Sequence, residues 1–299
     1  MMMNRIKVQG TRLKPCNLYL SPFTSKGFTL VEMIMVIVIT GIIGGMVAVF
    51  LKAPIQQYID VGRRADMTDI ADTALRRIGR DLRLALPNSV RVDPSGHYIE
   101  FLPTTGGGRY RAAAAPPPGI QAGCGSLAAD ALDFTTADTC FEVLGSMPSA
   151  LAGNYIVVYN MTANPLDTNP NAYAGGNRAA YVSTAGAVMN IASKLFPFDS
   201  PSHRFQVITT PVTYVCAPVA GGGGTLTRWQ GYAIQSAQPT SLPAGGTSVV
   251  LANNVSTCNF AYDASVVAQR SGLVTMNLGI TESGETVTLY SATHVSNMP

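Results

Sequence analysis

The chain is short of charge. Only 12% of its 299 residues are Asp, Glu, Lys or Arg, against roughly 25% in an ordinary soluble domain. The deficit excludes a disordered polyelectrolyte, since 47% of the residues are apolar and can build a core. A formal charge of +3 excludes a strongly basic nucleic-acid binder, so no nucleic acid is expected as a partner. Histidine is scarce and scattered, at His97, His203 and His294, and no Cys-x-x-Cys occurs, so no metal centre is expected. There is no G-x-x-x-x-G-K-[ST], no G-x-S-x-G and no H-E-x-x-H. These absences remove the P-loop, the nucleophile elbow and the helical zinc site, and the chain is read as non-enzymatic and without cofactor. The 29 glycines and 19 prolines exclude a long coiled coil, because so many of them need turns.

Long apolar runs are also absent, with one exception. Phe28 to Leu51 contains a single charged residue, Glu32. As a helix these residues would extend about 36 Å, enough for a hydrocarbon core about 30 Å thick. Residues 1–27 carry Arg5, Lys7, Arg12, Lys14 and Lys26 and no acid. The other fifteen basic residues face seventeen acids, so a basic N-terminus precedes a slightly acidic body. This asymmetry predicts a single membrane span with its N-terminus in the cytoplasm and its body exported. A cleaved secretory signal fits less well, because the run is long and continues into Lys52, Ala53 and Pro54 with no small-residue cleavage site. A lipoprotein reading of Cys16 lacks the preceding apolar run.

Glu32 is the odd residue, since a carboxylate inside a span costs a few kcal/mol. It either lies near the interface or meets a cation. Lys26-Gly27-Phe28-Thr29-Leu30-Val31-Glu32 resembles the cleavage and methylation site of type IV pilins and type II secretion pseudopilins. That signature has Gly before the cut, usually Phe after it, and Glu at the fifth mature position. The resemblance implies that a prepilin peptidase/methyltransferase cuts between Gly27 and Phe28 and methylates the new amine of Phe28. It also implies that Glu32 pairs with the N-terminal amine of a neighbouring subunit as the apolar helices bundle. Such pairing relieves the desolvation of both charges, whereas a wrong register leaves both unpaired.

Beyond the span, Pro54 is expected to break or kink the helix. Met67, Ile70, Ala71, Ala74, Leu75, Ile78, Leu82 and Ala85 then recur at helical spacing, which predicts an amphipathic helix ending at Pro87. Asp60, Asp66, Asp69 and Asp72 lie early in it, and Arg76, Arg77, Arg80 and Arg83 late. The arginines read as a solvated face more readily than as an anion or subunit site. From Asn88 onward the pattern is strands and turns. A hairpin is expected over 90–102, and further strands over 131–135, 140–144, 155–159, 205–209, 213–216, 226–234, 258–262, 273–280 and 286–292. Residues 103–123, 160–180, 217–225 and 236–247 read as irregular. The fold class is α+β, a long N-terminal helix packed on an antiparallel sheet. The expected segments are a leader over 1–27, a span over 28–51, an amphipathic helix over 52–86 and a β-rich head over 87–299.

Removal of the leader takes Cys16 with it and leaves Cys124, Cys140, Cys216 and Cys258. An even number in an exported, loop-rich head predicts two disulfides, and the sequential pairing Cys124–Cys140 and Cys216–Cys258 is favoured among three. Asp167-Thr168-Asn169-Pro170-Asn171 looks like the start of a calcium loop. Ala172 stands where the turn glycine belongs and Arg178 where the bidentate acid belongs, so an EF-hand is rejected and a looser calcium site is left as a minor alternative.

The element order resembles the larger minor pilins and pseudopilins. Residues 76–87, the hairpin ending in Ile99-Glu100-Phe101 and the closing residues 295–299 look most like the MshO type of MSHA pilus biogenesis protein. The resemblance implies a structural minor pilin that joins the fibre at or near its tip. Its partners would be other minor pilins, the major pilin and the inner-membrane assembly platform. Alternatives are a J-type pseudopilin of a type II secretion system, a tip adhesin binding through 103–123 and 160–180, and a plain membrane-anchored domain in which Glu32 is incidental.

Overall fold

The structure, a computed structural model, describes residues 27–113, 130–267 and 270–299. The chain divides into two compact units, 1–58 and 59–299. Among the described residues one helix, α1 (Leu30–Leu82), supplies the regular structure of the first unit and enters the second. It is long and apolar enough to cross a membrane. Thr29 caps it: its backbone carbonyl accepts the Met33 N–H at 3.2 Å and its hydroxyl the Glu32 N–H at 3.3 Å.

The helix continues through Pro54, so of the break or kink expected there the break does not occur. A proline removes one i→i−4 bond, here to the carbonyl of Phe50, and the surrounding ladder bridges the gap. The helix ends at Leu82, five residues before Pro87. Leu84 and Ala85 tighten the last turn with bonds to Asp81 and Leu82, and Leu86 N–H then goes to the Leu102 carbonyl at 2.7 Å. Pairing with the sheet therefore ends the helix before the proline is reached.

Among the described residues the second unit holds thirteen strands. A seven-stranded antiparallel sheet has the order β1 (Arg91–Val92), β2 (Tyr98–Phe101), β9 (Val212–Ala217), β10 (Gly224–Gln230), β11 (Thr247–Val267), β12 (Ser271–Glu282), β13 (Glu285–Ser296). Between β2 and β9 the chain builds a six-stranded closed barrel. Its order is β3 (Thr104–Tyr110), β4 (Asp138–Leu144), β7 (Val188–Lys194), β6 (Arg178–Ala185), β5 (Tyr155–Val158), β8 (Arg204–Ile208).

The amphipathic stripe is the helix's contribution to the core. Met67, Ala71, Ala74, Leu75, Ile78 and Leu82 are buried against Tyr214, Phe260, Met276 and Ile280 of the sheet. This gives the expected α+β class, a helix packed on antiparallel sheet. The barrel has a separate core of Tyr110, Phe141, Phe196, Phe205 and Val207. Ile70, counted in the stripe, is 44% exposed instead.

Three barrel strands fall where no strand was expected. β3 lies in the supposedly irregular 103–123 and contains Gly106, Gly107 and Gly108. A Cβ on Gly107 would stand 2.8 Å from the Phe205 carbonyl, and one on Gly108 2.9 Å from its ring. The glycines thus let β8 approach closely, which outweighs their poor strand propensity. β6 and β7 pair through a two-residue turn, Gly186-Ala187, with Gly186 at φ 61°. Residues 131–135 form no strand: Asp133 folds them into a turn by accepting the Thr135 N–H at 2.6 Å. The strand expected over 226–234 stops at Gln230, where Gly231 adopts φ 79°.

Candidate functional site

Gly27, Phe28 and Thr29 are non-helical, and α1 begins at the next residue. The Gly27–Phe28 peptide is therefore non-helical and exposed, two residues ahead of the first helical residue. Exposed non-helical backbone is what a peptidase needs to bind. Phe28 is 75% exposed.

Thr29-Leu30-Val31-Glu32 places Glu32 at the third helical position. That is the spacing of a capping box, a signal readable in the sequence and missed there. A carboxylate in the first turn also faces the positive end of the helix dipole. The start of α1 thus fixes a threonine hydroxyl and a carboxylate within one turn of the expected new amine. Among the described residues, Glu32 has no ion-pair partner in its own chain, since all eight ion pairs among those residues involve other groups. The apolar residues that follow, from Leu30 to Leu51, are exposed throughout. Gly41, Gly44 and Gly45 have open space where a Cβ would stand.

The remaining candidate residues lie in the second unit. Cys216 on β9 and Cys258 on β11 form a disulfide with Cα atoms 6.3 Å apart. β10, which runs between these strands, pairs Leu226 with Cys216 and starts at Gly224, where a Cβ would meet the carbonyls of Val255 and Ala217 at 2.3 and 2.4 Å. Cys140 on β4 is also disulfide-bonded. Cys124, its expected partner, lies outside the described residues, as does Cys16.

The 160–180 segment is anchored rather than free. Asn160 is buried, donates to the Pro87 carbonyl at 2.8 Å and accepts the Ala172 N–H at 2.9 Å. Asp167 is held below its usual carboxylate range by the Asn169 backbone and side chain, so its oxygens serve a local turn. The Arg178 guanidinium donates to the Ala172 carbonyl at 2.8 Å and lies 4.8 Å from the Tyr155 ring centre, putting a cation where a calcium ligand would be needed. Among the described residues no three His, Cys, Asp or Glu side chains converge on a common point.

The three histidines do not converge either. His203 Nδ1 stands 3.3 Å from Asp199, which also accepts from the Tyr110 hydroxyl. Burial, and then Asp199, push the Tyr110 hydroxyl well above its ordinary range. A phenol shifted in that direction stays protonated at neutral pH and serves as a hydrogen-bond donor, and the cluster latches the 199–203 turn to the barrel.

A second polar cluster joins sheet and loops. The Arg91 guanidinium sits 2.7 Å from buried Glu100, donates to the Ser236 carbonyl at 2.6 Å and lies 3.6 Å from the Tyr173 ring centre. Tyr232 donates to the other Glu100 oxygen at 3.0 Å. Burial raises the Glu100 carboxyl, and the charge and hydrogen bonds of Arg91 oppose the rise. Beside this cluster an open groove of about 660 Å³ is bounded by Asn88, Val92, Met161, Pro165, Gln238 and Tyr262.

The family model described as "Prokaryotic N-terminal methylation motif" matches residues 23–48, which include Gly27, Phe28 and Glu32. No curated protein and no solved structure matches the chain. The motif is that of type IV pilins and pseudopilins, a structural rather than enzymatic class. It implies processing by a prepilin peptidase, membrane anchoring through α1 and assembly with other pilins.

Proposed function

We propose that the chain is a minor pilin of an MSHA-like type IV pilus. Prepilin peptidase cuts between Gly27 and Phe28 and the amine of Phe28 is methylated. The subunit waits in the inner membrane with its head in the periplasm, and joins the fibre at or near the tip through Phe28–Leu51. Glu32 neutralises the N-terminal amine of a neighbouring subunit. Residues 1–27 are the leader, 52–86 the amphipathic continuation and 87–299 the head.

The observation that carries this reading is the arrangement at the start of α1. An exposed, non-helical Gly27–Phe28 bond directly precedes a capped apolar helix. The apolar part of that helix, Leu30 to Leu51, holds one carboxylate, Glu32, in its first turn and without a cation from its own chain among the described residues. In an apolar bundle such a carboxylate needs a cation from outside, and the amine released by cleavage is the nearest kind available. Intact mass of the chain made with and without prepilin peptidase tests it. Loss of residues 1–27 plus the gain of one methyl group supports the pilin reading. An uncut chain beside an active peptidase leaves only a membrane-anchored domain.

A J-type pseudopilin of a secretion machine shares every feature of this site. Loss of fibres against loss of secretion, on deleting the gene, separates the two. The tip-adhesin reading loses part of its ground. Residues 104–110 are a barrel strand, and Asn160, Ala172 and Tyr173 are buried. Deleting 160–180 would damage the head, so adhesion is better probed with exposed single residues such as Leu166.

A further inference from the structure

The outward face of α1 in the second unit carries its charge in two blocks. Asp66, Asp69 and Asp72 come first, and Arg77, Arg80 and Arg83 follow, with Arg83 in the turn just past the helix end. Five of the six are exposed and Asp72 is half-exposed. All lie away from the stripe of Met67, Ala71, Leu75 and Ile78 that packs on the sheet.

Within the helix this segregation is rewarded only at the junction of the two blocks, where Asp72 meets Arg76. The spacing sets Asp66 by Asp69, Asp69 by Asp72, Arg77 by Arg80 and Arg80 by Arg83, all like-charge neighbours three apart. Each such pair weakens a helix by a few tenths of a kcal/mol. The helix dipole acts only over the terminal turns, so it accounts for arginines near Leu82 but not for aspartates in mid-helix. The sole ion pair of these six with their own chain, among the described residues, is Asp72 with Arg76 at 2.7 Å. An open groove of about 520 Å³ between Arg76, Arg80 and Arg83 and residues Ser291–Thr293 of β13 leaves the arginines accessible from outside.

The two blocks have the same spacing and a constant offset. Asp66 to Arg77, Asp69 to Arg80 and Asp72 to Arg83 are each eleven residues. Eleven residues advance an α-helix by about 16.5 Å and return it to within about 20° of the same direction. The face is therefore complementary to itself when raised by three turns.

We infer that this face docks against the same face of a second copy of this chain, parallel and offset by about three helical turns, so that the aspartates of the upper copy meet the arginines of the lower. The parallel direction rests on the proposed membrane anchoring, which gives both copies one orientation. The contact itself rests on the charge pattern. Helices packed 8–10 Å apart bring Asp and Arg side chains within reach. Two copies then lie adjacent in the assembly, and the lower copy's aspartates and the upper copy's arginines remain for further neighbours.

The test is disulfide cross-linking of the full chain in membranes, with two differently tagged copies, Cys16→Ser in both. One copy carries Asp66→Cys and the other Arg77→Cys; Asp69→Cys with Arg80→Cys is the second pair. Both pairs are expected to form mixed dimers. Asp66→Arg with Asp69→Arg in one copy, each copy now bearing a reporter cysteine elsewhere on this face, should cut cross-linking roughly tenfold, and Arg77→Asp with Arg80→Asp in the other copy should restore it. An antiparallel contact would also align the blocks, as Asp66 with Arg83 and Asp72 with Arg77. Cross-links at those pairs without 66–77 overturn the inference, and so does the absence of mixed dimers. Intact mass of the same samples reports cleavage and methylation separately, so failure of the docking face is distinguishable from failure of the pilin reading.

Discussion

The two ends of α1 differ in composition, and their burial runs against it. From Leu30 to Leu51 the helix is nearly all apolar, and no side chain in it is buried. From Met67 to Leu82 it carries aspartates and arginines, yet seven residues are buried, with Ile78 and Leu82 at 0% exposure. Hydrophobicity alone therefore does not make a core; a partner surface does. The later end finds its partner in its own sheet. The earlier end offers its apolar surface to lipid or to other helices, so its packing is a property of the assembly.

Three perturbations would break or sharpen this contrast. The largest effect is expected from Glu100→Ala, which strands the Arg91 guanidinium inside the second unit. A loss of about 3–5 kcal/mol is expected for removing one partner of a buried pair, read as a lower denaturant midpoint of the head. Membrane association through the apolar end should not change; if it falls in parallel, the two ends are not independent.

Next comes a matched pair of truncations. Ile78→Ala should lower head stability by about 2–5 kcal/mol, the usual cost of an aliphatic core cavity. Ile37, 64% exposed, should leave the same melting transition within about 0.5 kcal/mol when replaced by alanine. Equal effects would overturn the division of labour along α1.

The smallest effect concerns acid. Burial tends to raise the Asp93 carboxyl, but hydrogen bonds from Ser95, Tyr98 and His97 outweigh it and hold it below its ordinary value. An acid depressed in the folded state binds fewer protons there than when unfolded. Its contribution is therefore complete well above pH 3.8 and is lost as pH falls below that value. Asp93→Asn should cost about 1 kcal/mol at neutral pH and flatten the acid limb of the stability curve. An unchanged limb would show that the β1–β2 turn does not sense acid.

The legible parts of the molecule were those written in adjacent residues. Gly27-Phe28 with Glu32, the apolar run, the helical stripe and the 90–102 hairpin all use local spacing. Thr29 was equally legible as a cap and was passed over beside the more conspicuous glutamate. The barrel was not legible, because its closure depends on partners far apart in sequence. β3 pairs with β8 about a hundred residues later, and its glycines make sense only beside the Phe205 ring. The Arg91–Glu100 pair was hidden for the same reason: Ser236, Tyr173 and Tyr232, which complete it, come from distant loops.

The chain leaves the sheet after Phe101 and returns at Val212, and these two residues are direct partners across β2 and β9. Pro103 and Thr209 still share a backbone bond at 3.1 Å. The chain enters and leaves everything between at two neighbouring points, Asn160 and Tyr173 tie it further to Pro87, Ser89 and Arg91, and the sheet's strand order is complete without it. Away from those contacts such a module can lengthen or shrink over generations while the sheet keeps its strand order. A lineage can thereby revise what the head displays and leave untouched the part that must fit its neighbours.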